Sequence, residues 1–282
     1  MAFLLSCVDN VWPMNRRRIF VLSFLILLLA GYYLVKSPTL PGNTNHGYTW
    51  EAFEPALVDR LRTIDDVLKY TDSSCAGQQR QSLDYVRFLS RTFSERFYHG
   101  YSYYSFQDNW IAYMSGKLIW SHLSAIVLPN DILKHPQAAC SQVSIVLAEA
   151  LKRIGVPYRK VGLKNHFVLE AFINDHWYLF DANMEPHFPN GRKSLAELKA
   201  ANELYEGYRG KLSPRKVDET FSVIRYGKTN EILAPNANIY HKLTAVLSFL
   251  LPLFLMIYLI WPLIYSAKRF SRPLEKKSLS QS

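Results

Sequence analysis

Two long uncharged runs limit what this chain can fold into. One extends from Ile19 to Val35 and the other from Leu243 to Tyr265. At 1.5 Å per residue, each is about long enough to cross the roughly 30 Å hydrocarbon core of a bilayer as a helix. Aromatic residues stand near the ends of the runs, as in the aromatic belts of membrane proteins: Tyr32, Tyr33, Trp261 and Tyr265. We therefore predict two transmembrane helices rather than two buried core helices.

Basic residues flank both runs and predict the orientation. Arg16, Arg17 and Arg18 precede the first run. Five more follow the second run: Lys268, Arg269, Arg272, Lys276 and Lys277. The positive-inside rule then places both termini in the cytoplasm and the intervening chain on the far side. The first run is longer than the hydrophobic region of a signal peptide, which predicts an uncleaved signal-anchor.

The predicted organisation has six segments. They are a cytoplasmic tail at 1–18, a transmembrane helix at 19–35, a linker at 36–49, an extracytoplasmic domain at 50–240, a transmembrane helix at 243–265 and a basic cytoplasmic tail at 266–282. The tails hold most of the formal net charge of +10, so this charge reflects membrane anchoring. We expect the lipid bilayer as a partner and no nucleic acid. The expected location is a bacterial inner membrane, with the main domain in the periplasm.

The strongest helical pattern in the predicted outer domain begins at a cysteine. From Val143 to Ile154, apolar residues recur at i, i+3, i+4, i+7, i+8 and i+11, which is the stripe of a one-faced helix. Gly155 and Pro157 then end the helix. Cys140 therefore lies at the helix start, where unpaired N–H groups and the positive end of the helix dipole favour a thiolate.

A β-hairpin is predicted after this helix, with a histidine and an aspartate at its open end. The stretches "NHFVLEAF" and "HWYLFDAN" flank a polar turn at Asn174 and Asp175. Side chains alternate between strand faces, so His166 and Asp181 share a face only when the turn has an even number of residues. A two-residue turn makes them diagonal neighbours, and a turn one residue earlier pairs them directly. In either register the carboxylate can orient the imidazole and stabilise its charge.

Cys140 has two further interpretations besides a nucleophile. Cys75 is in the same outer compartment, where disulfides form, and a Cys75–Cys140 bridge would block thiolate chemistry. The other interpretation is an inert packing residue. We favour the nucleophile because the same short region supplies a base, His166, and an acid, Asp181, in a workable register.

These residues, in this order, resemble the transglutaminase-like superfamily. A cysteine opens a helix that ends in "GVPYRKV", and "HFVLEAFINDHWYLFDAN" follows. The likeness extends from about Phe88 to Pro186. It implies an α+β fold with a papain-like core, in which a nucleophile helix packs on an antiparallel sheet. It also implies a catalytic triad of Cys140, His166 and Asp181.

The resemblance also suggests substrate contacts. Trp177 matches the tryptophan that commonly precedes the acid, and we assign it to substrate binding. Trp120 and Gln137 are further candidates, either of which would complete an oxyanion hole with the Cys140 N–H. Two features depart from the family pattern. "AAC" replaces the glycine often found two residues before the nucleophile, and the short interval between cysteine and histidine trims the intervening strands and loops.

The expected function is that of a membrane-anchored thiol enzyme that forms an acyl-enzyme from amide or peptide bonds in the cell envelope. Hydrolysis by a cysteine peptidase or amidase and acyl transfer to an amine both stay open, with a peptide, protein or envelope polymer as substrate. The alternative function is a catalytically idle scaffold or binding module of an envelope assembly. We expect no cofactor and no metal site, because no Cys/His spacing fits zinc ligands.

Overall fold

The computed structural model describes residues 48–270, together with Val21 and Phe24, which are helical and exposed. The predicted tail at 1–18, the rest of the first predicted span, most of the linker and the chain beyond residue 270 lie outside these residues. In the first predicted span, the structure can therefore be compared with the prediction only at Val21 and Phe24.

Short helices and strands alternate along the described residues, and a long helix follows them. The strands are β1 (Tyr98–His99), β2 (Gln137–Ala138), β3 (Tyr158–Leu163), β4 (His166–Ile173), β5 (His176–Phe180) and β6 (Ile224–Thr229). The helices are α1 (Ala56–Arg60), α2 (Ile64–Ser74), α3 (Leu83–Arg96), α4 (Phe106–Leu118), α5 (Pro129–Ile132), α6 (Cys140–Arg153), α7 (Leu195–Ala200), α8 (Leu204–Gly207), α9 (Pro214–Thr220) and α10 (Pro235–Phe270), with a 3₁₀ turn at Ser121–Ser124. The fold is α+β, as predicted.

The centre of the domain is an antiparallel sheet of four strands in the order β5-β4-β3-β6. The apolar stripe of α6 packs against one face of this sheet, because residues one helical turn apart share a helix face and alternate residues share a strand face. The buried residues of this contact include Val143, Val146, Leu147, Leu169, Ala171 and Phe180. Each of these Val, Leu and Phe side chains contributes about 1.5–3 kcal/mol when buried. The apolar stripe that predicts α6 therefore also fixes the position of Cys140, the first residue of this helix, relative to the sheet.

A second hydrophobic core covers the other side of the sheet. It joins residues of β3, β4 and β5 to the short helices α7, α8 and α9. The buried residues include Val161, Val168, Leu179, Leu195, Leu198, Tyr208 and Phe221. This second layer brings Tyr208 towards the end of the β4–β5 hairpin, although it is distant from that hairpin in sequence.

The β4–β5 hairpin has the predicted two-residue turn. Ile173 pairs with His176, which leaves Asn174 and Asp175 as the turn residues. Both have positive φ, +48° and +61°, as a type I′ turn requires. The pairing continues to Leu169 opposite Phe180, so the next position, Asp181, falls opposite Val168. Of the two registers that the sequence left open, the structure has the one in which His166 and Asp181 are diagonal neighbours.

Replacing Asp175 by glycine is expected to raise the free energy of unfolding by about 0.5 kcal/mol. The side chain at this position holds a φ of +61°, which glycine adopts without strain and which Asn-Gly turns prefer. Thermal unfolding of the detergent-solubilised chain measures the change. Asp218→Gly in α9 is the matched control, and it should lower the stability because glycine weakens a helix interior. A lower stability of Asp175→Gly would contradict the turn geometry.

The described residues divide into two compact units. The larger unit contains residues 48–104 and Ala112–Lys242, and the other contains Ser105–Ile111 with the chain from Leu243 onward. In the smaller unit, Asn109 interrupts α4 with non-helical φ and ψ of −158° and 88°. Its amide donates to Thr244 Oγ1 at 2.8 Å, and the indole N–H of Trp110 donates to a carbonyl of α10 at 3.0 Å.

Among the described residues, one helix is long and apolar enough to cross a membrane. It is the stretch Pro235–Tyr258 of the 36-residue helix α10, whose apolar side chains are mostly exposed. The predicted span at 243–265 lies within α10, and the helix begins eight residues earlier than that span. Its two interior prolines do not end it, since membrane helices tolerate proline.

Candidate active site

The structure brings His166 and Asp181 into direct contact at the open end of the hairpin. His166 is the first residue of β4, and Asp181 directly follows β5. The imidazole Nε2 lies 2.7 Å from Asp181 Oδ2, and both side chains are buried. This short distance is typical of a charge-assisted hydrogen bond. The hydrogen bond fixes the orientation of the imidazole ring, because a rotation of the ring would break the bond.

Asp181 is held as a carboxylate by several donors. Its Oδ2 also accepts the Tyr208 hydroxyl at 2.9 Å, and its Oδ1 accepts the backbone N–H groups of Asn183 and Met184, each at 3.2 Å. Burial by itself raises the pKa of Asp181, but His166 and these donors outweigh burial and lower it. Asp181 is therefore ionised at neutral pH even though its side chain is fully buried.

The imidazole of His166 is protonated at neutral pH. Burial lowers the pKa of His166, because a buried imidazolium loses its hydration. The charge and hydrogen bond of Asp181 outweigh burial, Cys140 adds a smaller contribution, and together they raise the pKa of His166 to about 10. A cation held beside a sulfur atom stabilises the thiolate form.

The start of α6 is fixed by one buried amide side chain. Cys140 is the first residue of this helix, so the predicted helix start is confirmed. The Gln142 carbonyl oxygen accepts the N–H groups of Ala139 and Ser102 at 3.2 and 2.9 Å. Its amino group donates to the carbonyls of Ser102 and Ile126 at 2.9 and 2.8 Å. The amide thus ties Ala139, which precedes Cys140, to the backbone of Ser102 and Ile126.

Cys140 meets His166 where the first turn of α6 crosses the start of β4. Ser144, one turn beyond Cys140, donates its hydroxyl to the Phe167 carbonyl at 3.3 Å. Cys140 contributes to the raised pKa of His166, so the thiol and the imidazole are close neighbours. Since Nε2 is bonded to Asp181, Nδ1 is the ring nitrogen left to face the sulfur. His166 is thus the residue that Cys140 and Asp181 have in common: it is bonded to the carboxylate and neighbours the thiol.

The alternative of a disulfide does not form. Cys75 and Cys140 are both free thiols, and Cys75 is buried at the end of α2. Burial, followed by the negative charges of Asp72 and Asp84, raises the pKa of Cys75. Cys75 is thus an unreactive packing cysteine, whereas Cys140 is partly exposed at the start of a helix.

Of the three predicted substrate-binding residues, Gln137 lies nearest to Cys140 in the chain. It is in β2, which pairs in parallel with β1, and its side chain bridges two tyrosines. Its amide oxygen accepts the Tyr98 hydroxyl at 2.8 Å, and its amino group donates to the Tyr101 carbonyl at 2.8 Å. An amide carries two N–H donors, so one is left for a ligand.

The contacts of Trp120 and Trp177 are with residues outside the Cys140–His166–Asp181 cluster. Trp120 precedes the 3₁₀ turn, is 60% exposed and lies 5.0 Å from the His122 ring. Trp177 is near the turn of the hairpin, four residues from Asp181 and hence about 13 Å along the strand. The Arg159 guanidinium stacks on the Trp177 ring at 4.2 Å and also binds the buried Glu170. These contacts give Trp177 a packing role.

Three residues that sequence reasoning missed complete the site. Tyr208 donates to Asp181, as described above. The His99 Nδ1 lies 3.1 Å from Asn183 Oδ1, which connects β1 to the loop after the acid. His99 is paired with Ala138, two residues before Cys140. The only sequence signal for any of them is that Asn183 follows the acid by two positions.

A groove of about 770 Å³ lies at the start of β4, and its lining does not include Cys140, His166 or Asp181. Asn165 and Phe167, the two neighbours of His166 in the chain, line it together with residues of β3 and β6. Its charged lining consists of four basic side chains and one acid: Lys160, Lys164, Arg225, Lys228 and Glu231. A cleft lined mainly by one sign of charge attracts ligands of the opposite sign, so this groove suits an anionic chain.

Replacing Gly207 by alanine is expected to lower the free energy of unfolding by about 1–3 kcal/mol. An added Cβ would lie 2.8 Å from Cζ of the buried Phe188 ring and nearer still to other ring atoms. Phe188 packs edge-on against Tyr208, so the displaced ring disturbs the donor to Asp181. Thermal unfolding measures the loss. Gly100→Ala is the control, because its Cβ would meet Gln137 atoms at ordinary contact distances of 3.9 to 4.0 Å. Equal stabilities of the two variants would contradict this packing.

Comparison with known proteins assigns no family. A scan against protein-family models and searches of the curated proteins and of the solved structures find no match to this chain. In the part of the chain that the structure describes, no group of three or more His, Cys, Asp or Glu side chains could hold a metal ion. The chemistry of the site is therefore argued from its own residues.

Proposed function

We propose that this chain is a membrane-anchored thiol enzyme with a transglutaminase-like core, which forms an acyl-enzyme at Cys140 from an amide or peptide bond. The observation that carries the proposal is the 2.7 Å bond between His166 Nε2 and Asp181 Oδ2. It keeps the imidazole protonated beside a cysteine at a helix start. This combination of nucleophile, base and orienting acid is what thiol acyl transfer needs.

The reaction has two halves. The Cys140 thiolate attacks the carbonyl carbon, and the C–S bond forms as the carbonyl oxygen becomes an oxyanion. The backbone N–H of Cys140 and the second N–H of Gln137 are the donors we assign to that oxyanion. As the C–N bond breaks, His166 gives its Nδ1 proton to the leaving amine. Water or a second amine then attacks the thioester, loses a proton to His166 and releases the thiolate.

The proposed setting is the cell envelope. The apolar helix α10 and the basic residues that follow it support a membrane anchor with a cytoplasmic C-terminus. We assign the first uncharged run, at 19–35, to a second span, which places both termini in the cytoplasm. The outer domain then faces the periplasm of a bacterial inner membrane. The basic groove at the start of β4 suits an acidic peptide or an anionic envelope polymer as substrate.

Mass spectrometry of acidic peptides incubated with the solubilised full chain tests this function. Each peptide carries a glutamine, and a primary amine is added as acceptor. Hydrolysis of a peptide bond yields two fragments with one added water, whereas acyl transfer yields the intact peptide with the amine in place of ammonia. We expect one of these products from the wild type and from Cys75→Ser, and neither from Cys140→Ala.

Two results would count against parts of the proposal. Amine incorporation without cleavage would exclude the peptidase version and keep acyl transfer. If no peptide reacts, and Cys140→Ala fully restores a deletion strain, the chain is a scaffold or binding module that uses the same fold without its thiol.

A further inference from the structure

The outer domain exposes a compact apolar and aromatic surface that the proposed chemistry does not use. Leu118, Ile119 and Trp120 are consecutive, and they are 75%, 78% and 60% exposed. Next to them lie three more exposed rings, which complete what we call the interfacial patch: Tyr101, Tyr103 and His122. Tyr101 is 5.8 Å from Tyr103 and 5.6 Å from His122, and His122 is 5.0 Å from Trp120. A contiguous exposed patch of this kind marks an interaction surface.

The backbone holds this patch in place. Tyr104 N–H donates to the Ser124 carbonyl at 2.8 Å, and Ile126 N–H donates to the Ser102 carbonyl at 3.0 Å. These bonds pair the tyrosine segment with the chain after the 3₁₀ turn. Gly116 packs so closely on Ser124 that an added Cβ would lie 2.6 Å from the serine Cβ. The exposure of Leu118, Ile119 and Trp120 is thus fixed by a packed backbone.

The same 3₁₀ turn is bonded to the start of the apolar helix. His241, in the first turns of α10, is fully buried, and its Nε2 donates to the Leu123 carbonyl at 2.9 Å. Its ring also packs edge-on against Tyr104 at 5.0 Å. The uncharged run of α10 begins only two residues later, at Leu243. The patch is therefore bonded to α10 two residues before the uncharged run at 243–265.

We propose that the interfacial patch lies in the outer interface of the bilayer that α10 crosses. This inference rests on the proposed membrane insertion of α10. Trp and Tyr rings prefer this interface because one end of each ring is apolar and the other can reach water. Lys117 and Lys242 stand beside the patch and the start of the run, where long basic side chains extend to the headgroups. We choose lipid rather than a second protein as the partner that covers the patch, because the patch is joined to α10, the helix that we propose to cross the bilayer.

The proposal also places the thiol close to the membrane surface. Tyr101, in the patch, accepts the Gln137 amide at 2.8 Å, and Cys140 is three residues beyond Gln137. Three residues reach at most about 10 Å. A substrate carried by the bilayer would therefore meet Cys140 without leaving the membrane surface.

Fluorescence quenching by brominated lipid tests the patch without relying on activity. The full chain is placed in phosphatidylcholine nanodiscs, with and without bromine at carbons 6 and 7 of the acyl chains. The fluorescence of a single tryptophan is obtained as the difference between the emission of the wild type and that of the variant in which this tryptophan is replaced by phenylalanine. We expect bromine to reduce the Trp120 signal at least threefold and to leave the signal of Trp177, the matched control on the same domain, unchanged.

Quenching of Trp261, which lies on α10, shows whether a negative result concerns the insertion of the helix or only the patch. If bromine quenches Trp261 but not Trp120, the helix is inserted and the patch proposal is wrong. If it quenches neither, α10 is not inserted, and the anchor and the patch proposal fail together. If Trp120 is protected from bromine and also from aqueous acrylamide, a protein partner or a second copy covers the patch in place of lipid.

Discussion

Iodoacetamide is expected to alkylate Cys140 at pH 6 about tenfold faster in the wild type than in the His166→Ala variant. Cys140 contributes to the raised pKa of His166, so the thiol and the imidazole are close neighbours. A positive charge beside a sulfur atom stabilises the thiolate, which is the form that reacts with iodoacetamide. Because the pKa of His166 is raised to about 10, the imidazolium is present from pH 6 to 9, and the advantage over His166→Ala should persist through that range.

The experiment uses the Cys7→Ser, Cys75→Ser chain, so that Cys140 is the single thiol that reacts. Adding His166→Ala should remove the advantage at pH 6 and restore the steep rise with pH of a free cysteine. His176→Ala is the matched control, because His176 is an exposed histidine of the same hairpin. An ordinary profile that does not respond to His166→Ala would mean that the thiol and the imidazole act independently.

Loss of the Asp181 carboxylate is expected to cost about 3–5 kcal/mol of unfolding free energy at pH 6, since removing one partner of a buried ion pair leaves the other charge uncompensated. Asp181→Ala leaves the buried His166 without its anion and the buried Tyr208 hydroxyl without its acceptor. Thermal unfolding of the solubilised chain, followed by near-ultraviolet circular dichroism, measures the loss. Tyr208→Phe removes only the hydroxyl, and we expect a smaller cost of about 1–3 kcal/mol.

The effect of Asp181→Ala should depend on pH in a definite direction. The pKa of Asp181 is lowered, so its stabilisation is present above the ordinary value of 3.8 and is lost as the pH falls through the lower folded value. The pKa of His166 is raised, so its stabilisation is complete below the ordinary value of 6.5 and is lost as the pH rises towards 10. The difference between wild type and variant is therefore largest between about pH 4 and 6.5.

An exposed pair provides the control for this stability experiment. His176 and Glu197 form a similar contact at 3.3 Å on the surface of the domain. Exposed ion pairs contribute about 0–1 kcal/mol, so His176→Ala should change the stability little at any pH. Equal losses for Asp181→Ala and His176→Ala would show that burial does not strengthen the pair at the site.

The sequence predicted those parts of the site that depend on local patterns. The start of α6 at Cys140 follows from an apolar stripe with helical spacing and from Gly155 at its end. The contact between His166 and Asp181 follows from strand alternation and a two-residue turn. These signals lie within one element or one hairpin, where spacing in the chain determines geometry.

The missed parts depend on contacts between distant segments. Tyr208 is 27 residues from Asp181, and His99 is 84 residues from Asn183, so no short period connects them. Strand β6 was also missed, because its side chains are mostly exposed and give no clean alternation of apolar and polar residues. The resemblance assigned Trp177 to substrate binding, and its contact with Arg159 is a further one that the sequence did not predict.

The hairpin also has a consequence for how the site assembles during folding. His166 and Asp181 belong to 16 consecutive residues joined by a tight turn, and hairpins of this kind close in about 1–10 μs. Cys140 joins them only when α6 docks on the finished sheet, a slower step that depends on contacts across the domain. Until then the chain carries an ordinary, slowly reacting thiol. The three residues of the proposed site therefore come together only in the native state, although two of them are paired as soon as the hairpin closes.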